Sequence, residues 1–198
     1  FNNNMLNPLN QFSPRFSASY ELSDKWDINA NIGRYASQPA YTTMGFKRNG
    51  EFVNKNEQLK YIISNQAIAG FEFRPSDNTR LSVEGFYKQY DSYPFSVEDG
   101  ISIASKGTEY GQVGDEEITS TGKGRAYGVE LLYKIIDLEK LNLTTTYTFF
   151  RSEFTDKENV YRPSSWDTRH MVNLIASYDF GKGWNVSARW RFSGGAPY

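Results

Sequence analysis

The chain has one histidine and no cysteine among its 198 residues, which excludes thiolate zinc sites, disulfide frameworks and Cys-His dyads. His170 has no second His or Cys to share a metal with; beside Arg169 it reads as an interfacial side chain next to a loop. Acyl transfer needs a nucleophile within hydrogen-bond reach of a base, and donors for the oxyanion. Ser164 and Ser165 lie near His170 in sequence, but no oxyanion-hole pattern accompanies them. The acidic run Asp115, Glu116 and Glu117 could take a cation or a cationic ligand, with a solvated acidic loop as the plainer reading. Glu72 and Glu84 could face each other across a hairpin as sugar-cleaving carboxylates do, yet acids on any polar strand face fit that description. The segment GKGRAYG, 122 to 128, lacks the Walker spacing and opens a strand rather than a helix, so its glycines read as loop flexibility and the start of a strand. Asn142-Leu143-Thr144 and Asn185-Val186-Ser187 fit the glycosylation sequon but fall inside predicted strands, where modification is not expected. No catalytic, metal-binding or cofactor-binding residue is assigned, and the chain does not read as an enzyme. Ligand contacts are expected in long loops, where Arg48, Tyr110, Trp166 and Arg169 offer stacking surfaces and anion-binding groups, without any one residue being assigned.

The elements that carry these residues have a period of two. In WNVSARWRFS, 184 to 193, Trp184, Val186, Ala188, Trp190 and Phe192 share one face, and Asn185, Ser187, Arg189, Arg191 and Ser193 share the other. Similar alternation predicts strands over 15–22, 26–35, 66–74, 79–90, 126–134, 141–151 and 170–180. Hairpins then close across Ser23-Asp24-Lys25, Pro75-Ser76-Asp77-Asn78, the segment IDLEK and Gly181-Lys182-Gly183. The result is all-β, with about eight strands of roughly 8 to 12 residues, longer than the usual 5 or 6.

After each of the first three short turns comes a long polar excursion, at about 36–64, 91–125 and 152–168. Soluble domains rarely carry several loops beyond about 12 to 15 residues, and long strands with short turns at one end and long loops at the other mark an antiparallel transmembrane β-barrel. About ten residues at 3.3 Å each, tilted by about 40°, cover the roughly 25 Å apolar band of such barrels. Tyr20, Trp26, Phe71, Phe73, Tyr133, Tyr178, Phe180 and Trp184 gather near the short turns as an interfacial girdle. A mean hydropathy of -0.64 is compatible with this, because only alternate residues need be apolar. A one-residue slip of the last strand would put Arg189 and Arg191 into lipid at about 2 to 4 kcal/mol each. The soluble alternative is a β-sandwich adhesin or binding module, whose strands also alternate. The net charge of -1 gives no overall pull toward nucleic acid, and none is expected as a partner. With short turns periplasmic, both ends of the chain fall on the extracellular side, so the strands are expected to be part of a larger barrel.

The segments FSPRFSASYELSDKWDINANIGRYASQP (12 to 39), LSVEGFYKQYDS (81 to 92), GRAYGVELLYK (124 to 134) and WDTRHMVNLIASYDFGKGWNVSARWRFSGGAPY (166 to 198) resemble, in order, the C-terminal half of TonB-dependent outer-membrane receptors. The resemblance implies that residues 1–198 are a partial barrel domain from a 22-stranded barrel, with the plug domain, the TonB box and the final strands absent. It further implies TonB-dependent uptake of a scarce ligand such as a siderophore, cobalamin or oligosaccharide, in the outer membrane of a Gram-negative bacterium. Partners would be outer-membrane lipid, the imported ligand and the TonB complex through the missing N-terminal region; no cofactor is implied. A passive porin-like barrel is the alternative within the membrane class.

Overall fold

A computed structural model describes residues 8–54, 59–106 and 115–197. Eight long strands form one antiparallel meander in the order β1 (Arg15–Ser23), β2 (Trp26–Ser37), β5 (Ile62–Ser76), β6 (Thr79–Ser96), β7 (Ile118–Leu138), β8 (Leu141–Thr155), β10 (His170–Gly181) and β11 (Trp184–Ser193). Short pieces lie between them: helix α1 (Tyr41–Gly45), the hairpin of β3 (Lys47–Arg48) and β4 (Glu51–Phe52), and β9 (Tyr161–Pro163) on the end of β8. Among the described residues no second large sheet packs on the meander, which removes the β-sandwich alternative. The sheet is open, with β1 and β11 at its unpaired edges.

The registers sort the side chains into rows that cross the whole sheet. One row runs Tyr20, Ile28, Phe71, Val83, Leu131, Tyr147, Val172 and Phe192, apolar or aromatic at every strand. The adjacent row toward the long loops is Ala18, Ala30, Ala69, Gly85, Val129, Phe149 and His170. On the opposite face one row runs Glu21, Asp27, Glu72, Ser82, Leu132, Thr146, Asn173 and Arg191. The apolar rows stay open in the isolated sheet, with Ile32 57% and Trp190 55% exposed, because none of the described residues covers them. Lipid is the solvent that such a face requires. Arg189 and Arg191 stand opposite Ile175 and Asn173 on the polar face, the register that keeps them out of the apolar rows.

At the short-turn end Trp26 stacks on Phe73 at 4.3 Å and lies 5.7 Å from Phe71, while Tyr178 meets Phe180 edge-on at 4.8 Å, as the girdle requires. A second aromatic belt, not foreseen, closes the other end of the apolar band: Tyr87 with Tyr127, and Tyr147 and Phe149 with His170.

All four hairpins close with only two residues outside the strands, Asp24-Lys25, Asp77-Asn78, Glu139-Lys140 and Lys182-Gly183. The five-residue connection read at IDLEK is therefore too long. Glu139 and Lys140 both take positive φ (48° and 71°), as do Lys182 and Gly183 (53° and 84°), the backbone that matches the twist of the flanking strands. The excursions are also shorter than expected because the strands continue into them: β6 has 18 residues and β7 has 21. At about 3.3 Å per residue both outrun a 25 Å apolar band and must stand above it.

Candidate functional site

Where the strands rise past the apolar band, the loops fold onto them. Asn54 is fully buried and makes three bonds: its amide donates to the carbonyls of Thr43 (2.7 Å) and Glu116 (2.6 Å), and its oxygen accepts from the Ile118 N–H (2.8 Å). Leu59, Tyr61 and Ile118 form a small buried cluster beside it, packed by Ala36, Met44, Ile63 and Ile103. One side chain thus ties the β2–β5 connection to the start of β7. Glu116 accepts from the Ser96 hydroxyl and pairs with Lys106 (2.5 Å), which also pairs with Asp99. Burial alone would lower the Lys106 pKa, but its bonds to Asp99 and Glu116 outweigh that and raise it.

The connection after β8 is strapped just as closely. Asp167, 1% exposed, accepts from the Ser152 N–H (3.0 Å) and Arg151 Nε (3.1 Å), while the Ser164 hydroxyl donates to Ser152 (2.7 Å). The Ser165 N–H and hydroxyl both reach the Ala104 carbonyl, at 3.2 and 3.0 Å. These bonds hold Trp166, still 60% exposed, at the rim of a concavity of about 380 Å³ on the polar face. Tyr90, Tyr93, Phe150 and Phe154 line it, with Lys88 and Glu130 among them. Tyr90 stacks on Phe154 at 5.6 Å and Tyr93 lies 4.6 Å from it. Gly124 is needed here: a Cβ would lie 2.3 Å from the Phe154 ring. A volume of this size with aromatic walls and few charges has the character of a small-molecule site.

The residues singled out from sequence fare differently. Trp166 is at the concavity, but Arg48 pairs with Glu117 (2.9 Å) on another loop, and Tyr110 lies outside the described residues. Arg169 lies 3.8 Å from Asp167 and does not line Trp166's cavity. His170 accepts or donates a 2.9 Å bond with the Tyr147 hydroxyl and packs on Phe149, while Ser164 bonds Ser152, so the structure brings no Ser-His dyad together. Of the acidic run, Glu116 and Glu117 are tied into Lys106 and Arg48, which corrects the picture of a solvated loop. Glu72 and Glu84 do not face each other: Glu72 stands opposite Ser82 and binds Arg74 (2.9 Å) and Arg80, whereas Glu84 stands opposite Gly70 and Glu130. The glycines of 122–128 lie inside β7 and serve close approach, not loop flexibility, since a Cβ on Gly122 or Gly128 would strike backbone at 2.7 or 2.1 Å. Both sequons lie within strands, β8 and β11. The aromatic cluster was missed, though a signal existed: Phe149 and Phe150 are consecutive and Tyr90 breaks the parity of Tyr87, so rings must fall on both faces.

The family described as TonB dependent receptor-like, beta-barrel matches residues 1–198. No curated protein sequence matches. Among solved structures, the fold is similar to the alcaligin outer-membrane receptor FauA from Bordetella pertussis, at 15% identity and TM-score 0.62, covering 93% of this chain and 30% of that one. It is similar to the ferric-catecholate import receptor Fiu from E. coli K12 at 15% identity and TM-score 0.65, covering 89% and 24%. The siderophore receptor PirA from Pseudomonas aeruginosa matches at 16% identity and TM-score 0.64, covering 92% and 30%. The chain therefore spans less than a third of these relatives' length, and its open sheet corresponds to part of a barrel. The rows of lipid-facing side chains, the tall strands and the match over the full length agree: the chain belongs to the TonB-dependent receptor β-barrel family.

Proposed function

We propose that this chain forms wall and vestibule of an outer-membrane receptor of a Gram-negative bacterium that takes up a scarce ligand with energy delivered through TonB. The observation that carries the reading is the aromatic concavity on the polar face, with Trp166 at its rim and Phe150 and Phe154 in its lining. A purely passive pore has no need of an aromatic cluster held by buried serine and aspartate bonds on its water-filled side. Stacked rings with one lysine and one carboxylate suit a planar organic molecule carrying charge, such as the aromatic portion of an iron chelate, and the three structural relatives named above are by their descriptions an alcaligin receptor, a ferric-catecholate import receptor and a siderophore receptor. The plug and the TonB contact belong to this proposal as regions outside residues 1–198.

Quenching of tryptophan fluorescence by ferric catecholate and hydroxamate siderophores, compared between the intact receptor and its Trp166→Ala variant, tests the assignment. At least one chelate should quench the parent, and affinity in Trp166→Ala should fall by about tenfold, the scale of one lost stacking contact at about 1.4 kcal/mol. Equal affinities would move the site elsewhere; uptake that continues without TonB would favour the passive barrel.

A further inference from the structure

The apolar band ends abruptly toward the long loops. Its last row is Phe16, Ile32, Ala67, Tyr87 and Tyr127, completed by Arg151; the next row on the same face is Arg34, Asn65, Gln89, Arg125 and Glu153, without an apolar member. Over β7, β8 and the start of β10 this border is a chain of charges. Arg125 Nε donates to Glu153 (2.7 Å), Arg151 bridges Glu153 (3.0 Å) and Asp167 (3.1 Å), and Arg169 approaches Asp167 (3.8 Å). The two carboxylates sit underneath, Glu153 10% and Asp167 0% exposed at the side chain, while the Arg169 side chain is 56% exposed. Lys123, exposed, is two residues above Arg125 on the same side of β7. Three arginines therefore meet two carboxylates, with the anions behind and the cations outward, and Lys123 adds a cation at the same border. Arg125 is also laid 4.3 Å over the Tyr161 ring, which fixes its fork.

We propose that this border is a docking site for the phosphate of a lipid headgroup in the outer leaflet. The inference rests on the outer-membrane reading above. Position decides the occupant: the cluster stands in and one row beyond the row of Tyr87 and Tyr127, on the face that the acyl chains cover. A lipid packed along Val129 and Leu131 has its headgroup at that height, where spare guanidinium donors meet it. A soluble anion has no apolar chain to hold it there. The three arginines exceed the two carboxylates by one positive charge, which the negative charge of a headgroup phosphate matches.

Native mass spectrometry of the intact receptor, purified from membranes in detergent, tests this with dioleoyl phosphatidic acid against dioleoyl phosphatidylcholine. The parent should retain phosphatidic acid about tenfold better, and Lys123→Gln with Arg169→Gln should bring retention down to that of phosphatidylcholine. Lys25→Gln, at the opposite rim, should leave it unchanged, and Arg169→Lys should restore much of it. Both test positions are exposed, so folding is expected to persist and is checked by the β-sheet circular dichroism signal. Equal retention by the parent and the double variant overturns the proposal, as does displacement of the lipid by millimolar inorganic phosphate, which would mark a free-anion site. Recovery of the parent protein from cells without detergent would instead overturn the outer-membrane reading itself.

Discussion

The same strands obey two different rules along their length. From Tyr127 toward the short turn, β7 alternates, Tyr127, Val129, Leu131 and Tyr133 against Gly128, Glu130, Leu132 and Lys134, with Leu132 the exception on the polar side, and the side chains of the apolar row remain open in the sheet. From Arg125 toward the long loops, polar groups are buried as well, beside the small apolar cluster of Leu59, Tyr61 and Ile118: Asn54 and Ser96 are 0% exposed, and Asp167 is 1%. The lower half is stabilised by what surrounds the protein, the upper half by hydrogen bonds the protein makes to itself. Substitutions should therefore be judged by face in the lower half and by partner count in the upper half.

The widest separation should come from two neighbours in the lower half. Leu131→Arg faces lipid near the middle of the band and should cost about 2 to 4 kcal/mol, seen as loss of the folded, heat-modifiable form on electrophoresis. Leu132→Arg, one residue on but on the polar face, should fold normally; equal defects in both would remove the distinction between faces. In the upper half, Asn54→Ala deletes three bonds and strands the Ile118 N–H and two carbonyls, at about 1 to 3 kcal/mol. Its effect should be local: faster amide exchange over 43–54 and 116–118, with the strands below unchanged. The smallest effect concerns pH. Asp156 accepts from the Val160 N–H (2.9 Å) and from Arg162 (3.0 Å), and these bonds hold its pKa below the ordinary carboxylate value. A depressed pKa contributes stability above the unfolded value of about 3.9 and loses it as pH falls through the folded one. Protease cleavage within 156–162 should thus rise only below about pH 4, and Asp156→Asn should blunt that rise.

What could be read from the residues follows the same division. The eight strands, their faces and the girdle at the short turns were legible because lipid imposes period two on every strand and cannot be satisfied otherwise. The upper ends of β6 and β7 were not, since past Tyr90 and before Ala126 polar and apolar residues no longer alternate, and sequence pattern gives way to contacts such as that of Asn54. The β3–β4 hairpin was missed although Asn49-Gly50 is a strong two-residue turn signal, and both take positive φ (54° and 87°). Glu139-Lys140 misled in the opposite direction: neither residue is favoured at positive φ, so the turn read as longer than it is. Trp166 was legible as a candidate because a tryptophan in a polar loop lacks a packing reason; its partners Tyr90, Tyr93 and Phe154 were hidden inside strands.

With the long loops outward, as the proposed outer-membrane receptor would hold them, the heights of the strands also have a consequence outside the cell. Beyond the row of Tyr87 and Tyr127, β6 continues for nine residues to Ser96 and β7 extends nine back to Ile118, whereas β10 starts at His170, level with Phe149. At about 3.3 Å per residue and a tilt of about 40° that makes a rampart of roughly 23 Å on one side and almost none on the other. Whatever meets the cell surface, an antibody or a phage, would touch the tops of β6 and β7 first. Variation under immune or phage pressure is then expected to concentrate there, while the aromatic concavity sits in their lee.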